Sequence, residues 1–167
     1  MTQFFGKYRG RVTNNIDPLQ IGRVQVSVPA VLGEGSLSWA MPCMPLTNNG
    51  SGVYVVPQAG SNVWVEFEGG DPDYPIYSGG FWSDASQVPP EALLGLPVSP
   101  SIVLQTNLGH VLALSDLPGI GGFTLRTASG ASITVNDTGI VITNGLGATI
   151  SMTGPTIDFN NGALTIT

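Results

Sequence analysis

Two patterns of hydrophobic and polar positions divide the chain into an N-terminal and a C-terminal part. In the N-terminal part, Val63, Val65 and Phe67 alternate with residues of the opposite face, which is typical of a β-strand with one buried side. Comparable runs predict strands at 4–13, 22–29, from 38, 53–56, 63–68 and 76–82, separated by turns rich in glycine, proline and asparagine. No stretch here has helical periodicity, so we expect a small Greek-key β-barrel over residues 1–84.

The alternation stops between residues 85 and 104, where prolines bound a leucine-containing stretch that we interpret as a semi-rigid linker. From 105 to 167 a different pattern begins, in which three-residue units with apolar first and third positions alternate with tight turns. Successive units start seven residues apart, except for one ten-residue step. The apolar positions are Ile133, Val135, Ile140, Ile142, Ile150, Met152, Ile157, Phe159, Leu164 and Ile166.

Strands this short, with one apolar face, cannot enclose a core within a single chain. We therefore expect three chains to wind together over 105–167 as a homotrimeric β-helix or β-prism, with these apolar positions meeting on a shared axis. The alternative is a monomeric solenoid, but its repeat is too short to close a coil. The predicted fold class is all-β.

Composition supports self-association and weighs against polyanionic partners. Only 10% of the 167 residues are charged, against about 25% in a typical soluble domain. The net charge of −6 argues against nucleic acid or an anionic membrane surface as the main partner. Four of the five basic residues are Lys7, Arg9, Arg11 and Arg23. They form either a solvated strand face or a ridge that docks on an acidic partner.

No group of residues suggests catalysis, a metal or a cofactor. Asp71 and Asp73 lie in a turn, where aspartates bond to nearby backbone N–H groups. Glu66 and Glu68 share a strand face without a third group to position a substrate. His110 is the only histidine, although a trimer could bring three copies of it to one axis. We expect a protein that is not an enzyme, and the sequence contains neither a signal peptide nor an apolar run of the ~20 residues needed to span a bilayer.

One motif resembles a known family. Residues 57–79 read P-x-x-G-x-x-V-x-V-x-F-x-x-G-D-P-D-x-P-I-x-x-G, similar to the oligonucleotide/oligosaccharide-binding (OB-fold) barrel of central spike proteins in phage baseplates, type VI secretion systems and extracellular contractile injection systems. The turn of this motif consists of Gly70, Asp71, Pro72, Asp73 and Pro75. The run G-R-V-x-V-x-x-P at 22–29 also resembles these barrels, and residues 105–116 resemble the start of the spike prism.

The resemblance implies a structural homotrimer at the tip of a contractile injection machine. It would be assembled in the bacterial cytoplasm, seat on a baseplate hub below the inner tube, and help to puncture the target envelope, meeting the target membrane only transiently. Lys7, Arg9, Arg11 and Arg23 are the candidate hub contacts. Leu164, Thr165, Ile166 and Thr167 would contact a tip protein of the proline-alanine-alanine-arginine repeat family.

Two other functions remain open at this point. An OB-fold barrel could hold single-stranded nucleic acid on Trp39, Tyr54, Trp64 and Trp82, although the acidic balance weighs against it. A receptor-binding or glycan-binding fibre tip could also end in a trimeric prism, although the barrel motif weighs against that.

Overall fold

The computed structural model describes residues 2–119 and 121–167. The chain forms two compact units, the first ending at Ser83 and the second beginning at Asp84. Regular structure in both units is almost entirely β, and each unit is built around its own sheet.

The first unit contains a closed five-stranded barrel. The strands of this unit are β1 (Tyr8–Asn14), β2 (Val24–Ser27), β3 (Leu37–Pro42), β4 (Thr47–Asn48), β5 (Ser51–Gly52), β6 (Asn62–Phe67) and β7 (Pro75–Gly80). The barrel order is β1-β2-β3-β7-β6, and β4 and β5 form a separate two-stranded hairpin. The neighbours pair antiparallel except for β3 and β7, which are parallel. This is the arrangement of an OB-fold.

The barrel core is made largely of valines from the inward positions of the alternating strands. Its buried members are Val12, Val24, Val26, Val28, Ala40, Val63, Val65, Phe67 and Tyr77. The Tyr77 hydroxyl donates a 2.7 Å hydrogen bond to the carbonyl of Gly22, so the one phenol of the core is satisfied. Burial raises the pKa of Tyr77 to about 12, because the ionised phenolate would lose its hydration.

The predicted strand at 53–56 is wrong, because these residues are irregular. The Val53 N–H bonds to the carbonyl of Leu46, Val56 packs against the core, and Tyr54 is exposed. Pairing of β3 with β7 closes the barrel without this segment, so no free edge is left for it to join. Its strand-forming composition is overridden by the topology.

Helical structure is limited to short turns. One α-helix, α1 (Pro29–Leu32), begins with a proline at its first position and follows β2 directly. Single turns of 3-10 helix lie at Glu68–Gly70, Ala85–Gln87 and Pro90–Leu93. The last two belong to the proline-bounded stretch before the second sheet.

The second unit is one eight-stranded antiparallel meander, in which each strand pairs with the next in the chain. Its strands are β8 (Ile102–Gln105), β9 (Val111–Ser115), β10 (Gly122–Arg126), β11 (Ser132–Asn136), β12 (Gly139–Thr143), β13 (Thr149–Thr153), β14 (Thr156–Phe159) and β15 (Leu164–Ile166). β8 thus begins three residues before the position from which the sequence predicted this repeat. The strands β9 to β14 have both edges paired within the chain, so among the described residues the sheet has two unpaired backbone edges, the outer edges of β8 and β15.

Candidate functional site

One surface of the second sheet is covered entirely by hydrophobic side chains, and we call it the apolar face. Cross-strand pairing places two residues from each of the eight strands on it. Its members are Ile102, Leu104, Leu112, Leu114, Phe123, Leu125, Ile133, Val135, Ile140, Ile142, Ile150, Met152, Ile157, Phe159, Leu164 and Ile166. Every apolar position lies opposite another apolar position, so the two columns are unbroken.

None of these sixteen residues is buried in the single chain. The exposed fraction is 42% at Ile133, 38% at Val135 and 59% at Phe123. With strands about 4.8 Å apart, eight strands extend the apolar face over roughly 34 Å. Soluble monomers rarely expose a continuous apolar surface of this extent, so the apolar face requires a partner surface.

The opposite side of the sheet, which we call the polar face, has a different composition. Its central positions are Val103, Ala113, Thr124, Thr134, Val141, Ser151, Asp158 and Thr165. At the β8–β10 end, the 3-10 turn Pro90–Leu93 contacts β8, and Glu91 pairs with Arg126. Towards β15 the polar face consists of hydroxyl and carboxylate side chains that water can solvate.

The repeat in the sequence predicts the apolar positions from Ile133 onwards, and the structure adds six positions before it. Ile102 with Leu104, Leu112 with Leu114, and Phe123 with Leu125 have the same one-residue spacing as the later units. That spacing was sufficient to predict that both residues of each pair lie on one face of a strand. The turns around these strands are longer, so the strands do not follow the seven-residue period of the later units.

The C-terminal residues form the last strand of this sheet. Leu164, Thr165 and Ile166 are exposed and pair only with β14 among the described residues. Their outer backbone edge is therefore free to accept hydrogen bonds from another chain. Thr167 follows the strand and is exposed too.

The basic residues of the barrel do not form one cluster. Lys7, Arg9 and Arg11 lie on the outer side of β1 and just before it, all exposed. Arg23 immediately precedes β2, beyond the point where Asn14 pairs with Gln25. It is therefore at the other end of the β1–β2 pair from Arg11.

Two of these cations have acidic partners within the barrel. The Lys7 ammonium lies 2.8 Å from the Glu66 carboxylate, and this hydrogen bond lowers the pKa of Glu66 below its usual value. Arg23 donates from Nε and Nη2 to Asp17 Oδ1 at 3.1 and 2.8 Å. Its ring neighbour is Trp39, whose centroid is 5.2 Å from the guanidinium carbon.

Asp17 is the buried acidic group around which the β1–β2 loop is organised. Besides the Arg23 side chain, it accepts backbone N–H bonds from Leu19, Ile21 and Arg23 at 3.0–3.1 Å. The Arg23 hydrogen bonds, with these backbone bonds, hold the pKa of Asp17 far below its ordinary range. Because both partners are engaged in this network, Arg23 has a structural role.

The family-motif turn is a structural joint between β6 and β7. Asp71 Oδ1 accepts the Asp73 N–H at 3.0 Å, and Pro75 is fully buried at the start of β7. Gly70 has φ +80°, and a Cβ there would lie 3.1 Å from the Phe5 ring. The Gly70 carbonyl accepts the N–H of Phe4 at 2.8 Å. This turn, which also contains Pro72, therefore holds the N-terminal segment against the barrel.

The geometry does not favour base stacking. Trp39 and Trp64 are half-buried, and arginine side chains lie over both rings. Tyr54 and Trp82 are exposed, at 67% and 61%. Two open rings among these four candidates, on a chain of net charge −6, do not make the basic, aromatic track that single-stranded nucleic acid needs.

Metal-site geometry is likewise missing from the part of the chain that the structure describes, since no three His, Cys, Asp or Glu side chains come together there. His110 Nδ1 accepts the Ala128 N–H at 3.4 Å in the turn region beside β9. Within residues 2–119 and 121–167, no helix has the length and apolar character needed to cross a bilayer.

Comparison with protein families identifies both units. Residues 8–82 match the type VI secretion system/phage-baseplate injector OB domain. Residues 101–165 match the phage baseplate V C-terminal trimerisation domain. The second match spans all but the last residue of the apolar face. No curated protein matches the sequence significantly.

Proposed function

This chain belongs to the phage baseplate V family of injector proteins, and from that premise we infer what each of its two units does. It is a structural spike protein of a phage-baseplate or type VI-like injection machine, and its second unit assembles it into a homotrimer that associates with the baseplate. The predictions of an OB-fold barrel followed by a trimeric β-structure, and of a spike protein, are thereby confirmed.

We propose that the apolar face is the trimer core, and this face is the observation that carries the proposal. Three copies would each bury two columns of hydrophobic side chains around a common axis and leave the β13–β15 part of their polar faces in water. The shared core would make the assembly stiff, because no strand could separate without exposing its apolar pair. We propose that this stiffness, and not catalysis, is what the protein contributes when the target envelope is punctured.

We also propose two contact surfaces of the assembly. The outer side of β1, with Lys7, Arg9 and Arg11, is the proposed hub contact. Arg9 and Arg11 carry its available charge, because Lys7 is paired with Glu66. Arg23 was predicted with them, but its pairing with Asp17 gives it a smaller part too. The free edge of β15 and Thr167 are the proposed contact for a proline-alanine-alanine-arginine repeat tip protein. The trimer would assemble in the bacterial cytoplasm before it joins the particle under the inner tube.

The test uses injection particles produced with variant chains. Ile142→Asp introduces a carboxylate on the apolar face, and Val141→Asp introduces the same carboxylate one residue away on the polar face. We expect Ile142→Asp to abolish particle activity and the spike seen by electron microscopy, and Val141→Asp to retain both. Active particles with Ile142→Asp would contradict the proposal.

A further inference from the structure

Of the five basic side chains in the protein, three are neutralised by carboxylates. Lys7 pairs with Glu66, Arg23 with Asp17, and Arg126 with Glu91. Among the described residues, Arg9 and Arg11 have no acidic partner. They are also neighbours on the outer side of β1.

Both of these arginines line one open groove on the barrel. The groove follows β1 between β2 and β6, where Arg11 lies opposite Ser27 on one side and Asn62 on the other. Phe81 forms part of its wall. No aspartate or glutamate is among the described residues that line it. Among the described residues that line the groove, the guanidinium groups of Arg9 and Arg11 are therefore the only charged groups.

The groove presents its charges in two different ways. Arg9 lies against an aromatic pair, with its guanidinium carbon 4.6 Å from the Phe81 ring centroid and 5.1 Å from that of Trp64. The two rings are themselves 4.7 Å apart, so Arg9 is held in place while its N–H edge stays available. The side chain of Arg11 has no hydrogen-bond partner among the described residues, so its fork of N–H donors is open.

A protein carboxylate fits this arrangement better than a phosphate polymer does. Guanidinium groups bind carboxylates through paired N–H donors, and Asn62 and Ser27 add neutral hydrogen-bonding groups to the walls. Nucleic acid would need a longer basic track, but the remaining three cations are already paired. The net charge of −6 opposes a polyanion of many charges more strongly than it opposes a segment that brings two carboxylates.

We propose that this groove is a binding site for an extended, acidic protein segment, with a carboxylate on Arg11 and the neighbouring acidic position on Arg9. The inference deepens the proposed hub contact: it rests on β1 being the docking side and assigns the chemistry of the partner. Each trimer has three such grooves, so a partner with matching symmetry would be held at three points.

The test measures binding to the full-length trimer by fluorescence anisotropy at low salt. The probe is a fluorescein-labelled peptide of alternating glutamate and glycine, compared with its glutamine–glycine analogue and an oligothymidylate of equal length. We expect the acidic peptide to bind, and Arg11→Gln to weaken binding by about tenfold, as when one close charge pair is removed. Arg11→Lys, which keeps the charge and loses the fork, should give an intermediate loss.

Arg126→Gln is the matched control, because it is the same substitution and the same change of net charge in the other unit. Equal weakening by Arg126→Gln and Arg11→Gln would overturn the proposal, since it would show a general charge effect. The proposal would also be overturned if the acidic peptide did not bind, or if the glutamine analogue bound equally well. Tighter, Arg11-dependent binding of the oligothymidylate would overturn it too. Light scattering on the same samples separates the two claims. If the protein is a trimer but does not bind the peptide, the proposed groove site is wrong and the spike function is unaffected.

Discussion

Two valines with the same chemistry and opposite orientations test where the trimer is held together. Val135 lies on the apolar face and Val141 on the polar face of adjacent strands. Their exposed fractions in the single chain are nearly equal, at 38% and 41%. Threonine keeps the β-branched shape of valine and replaces one methyl group by a hydroxyl. Val135→Thr and Val141→Thr should therefore affect an isolated chain alike and differ only in the assembly.

The expected difference follows from burying the hydroxyl. In the trimer core, a hydroxyl without a hydrogen-bond partner costs about 1–3 kcal/mol. Three copies of Val135→Thr therefore cost about 3–9 kcal/mol of association free energy, or about two to six orders of magnitude in the trimer dissociation constant. Because that constant scales with the square of concentration, half-dissociation moves to roughly 10–1,000-fold higher protein concentration. On the solvated polar face, Val141→Thr should change it by less than about 0.5 kcal/mol.

Sedimentation equilibrium over a wide concentration range measures this directly, and urea denaturation at several concentrations is a second reading. The trimer of Val135→Thr should dissociate on dilution, while Val141→Thr should follow the unchanged protein. If the two variants dissociate at the same concentration, or if Val141→Thr is the weaker trimer, the apolar face is not the trimer core.

Three further predictions concern the barrel. Because the pKa of Asp17 is depressed in the folded state, the ionised Asp17 carboxylate stabilises the fold fully above the ordinary aspartate pKa, and this stabilisation should be lost as pH falls below about 4. In Asp17→Asn, the free energy of unfolding should depend less on pH in this range. The pKa of Tyr77 is raised in the folded state, so the free energy of unfolding should fall as pH rises from 10 towards about 12. Tyr77→Phe should lower the free energy of unfolding by about 1 kcal/mol at neutral pH and should remove this alkaline loss. Gly69→Ala should lower the free energy of unfolding by about 1–2 kcal/mol, because the φ of Gly69 is +59°. Gly70→Ala should lower it further, because the new Cβ would also meet the N-terminal segment. Thermal unfolding measures both variants, and a more stable Gly70→Ala protein would refute that contact.

The predictable parts of the structure are the strands in which hydrophobic and polar residues alternate along the sequence. Val63, Val65 and Phe67 point into the barrel, and Ile140 and Ile142 share one face of β12, because a strand alternates its side chains whatever it pairs with. The segment 53–56 has an equally strand-like composition and forms no strand. Whether a segment pairs depends on a free edge elsewhere in the sheet, which local sequence does not reveal.

The charges of the barrel show the same limit. The sequence placed Lys7, Arg9 and Arg11 on one side of a strand, as found. It could not indicate that Lys7 meets Glu66, 59 positions away, or that Phe81 and Trp64 pack together beneath Arg9. These contacts depend on the barrel closure, and they separate the paired cations from the two that remain available.

The most direct test of trimer formation is the mass of the full-length protein in solution, measured by light scattering coupled to gel filtration. We expect a single species of three times the 17.3 kDa chain mass, stable on dilution. A species of one chain mass, with the apolar face exposed to solvent, would contradict the central claim that three copies bury this surface to form the spike.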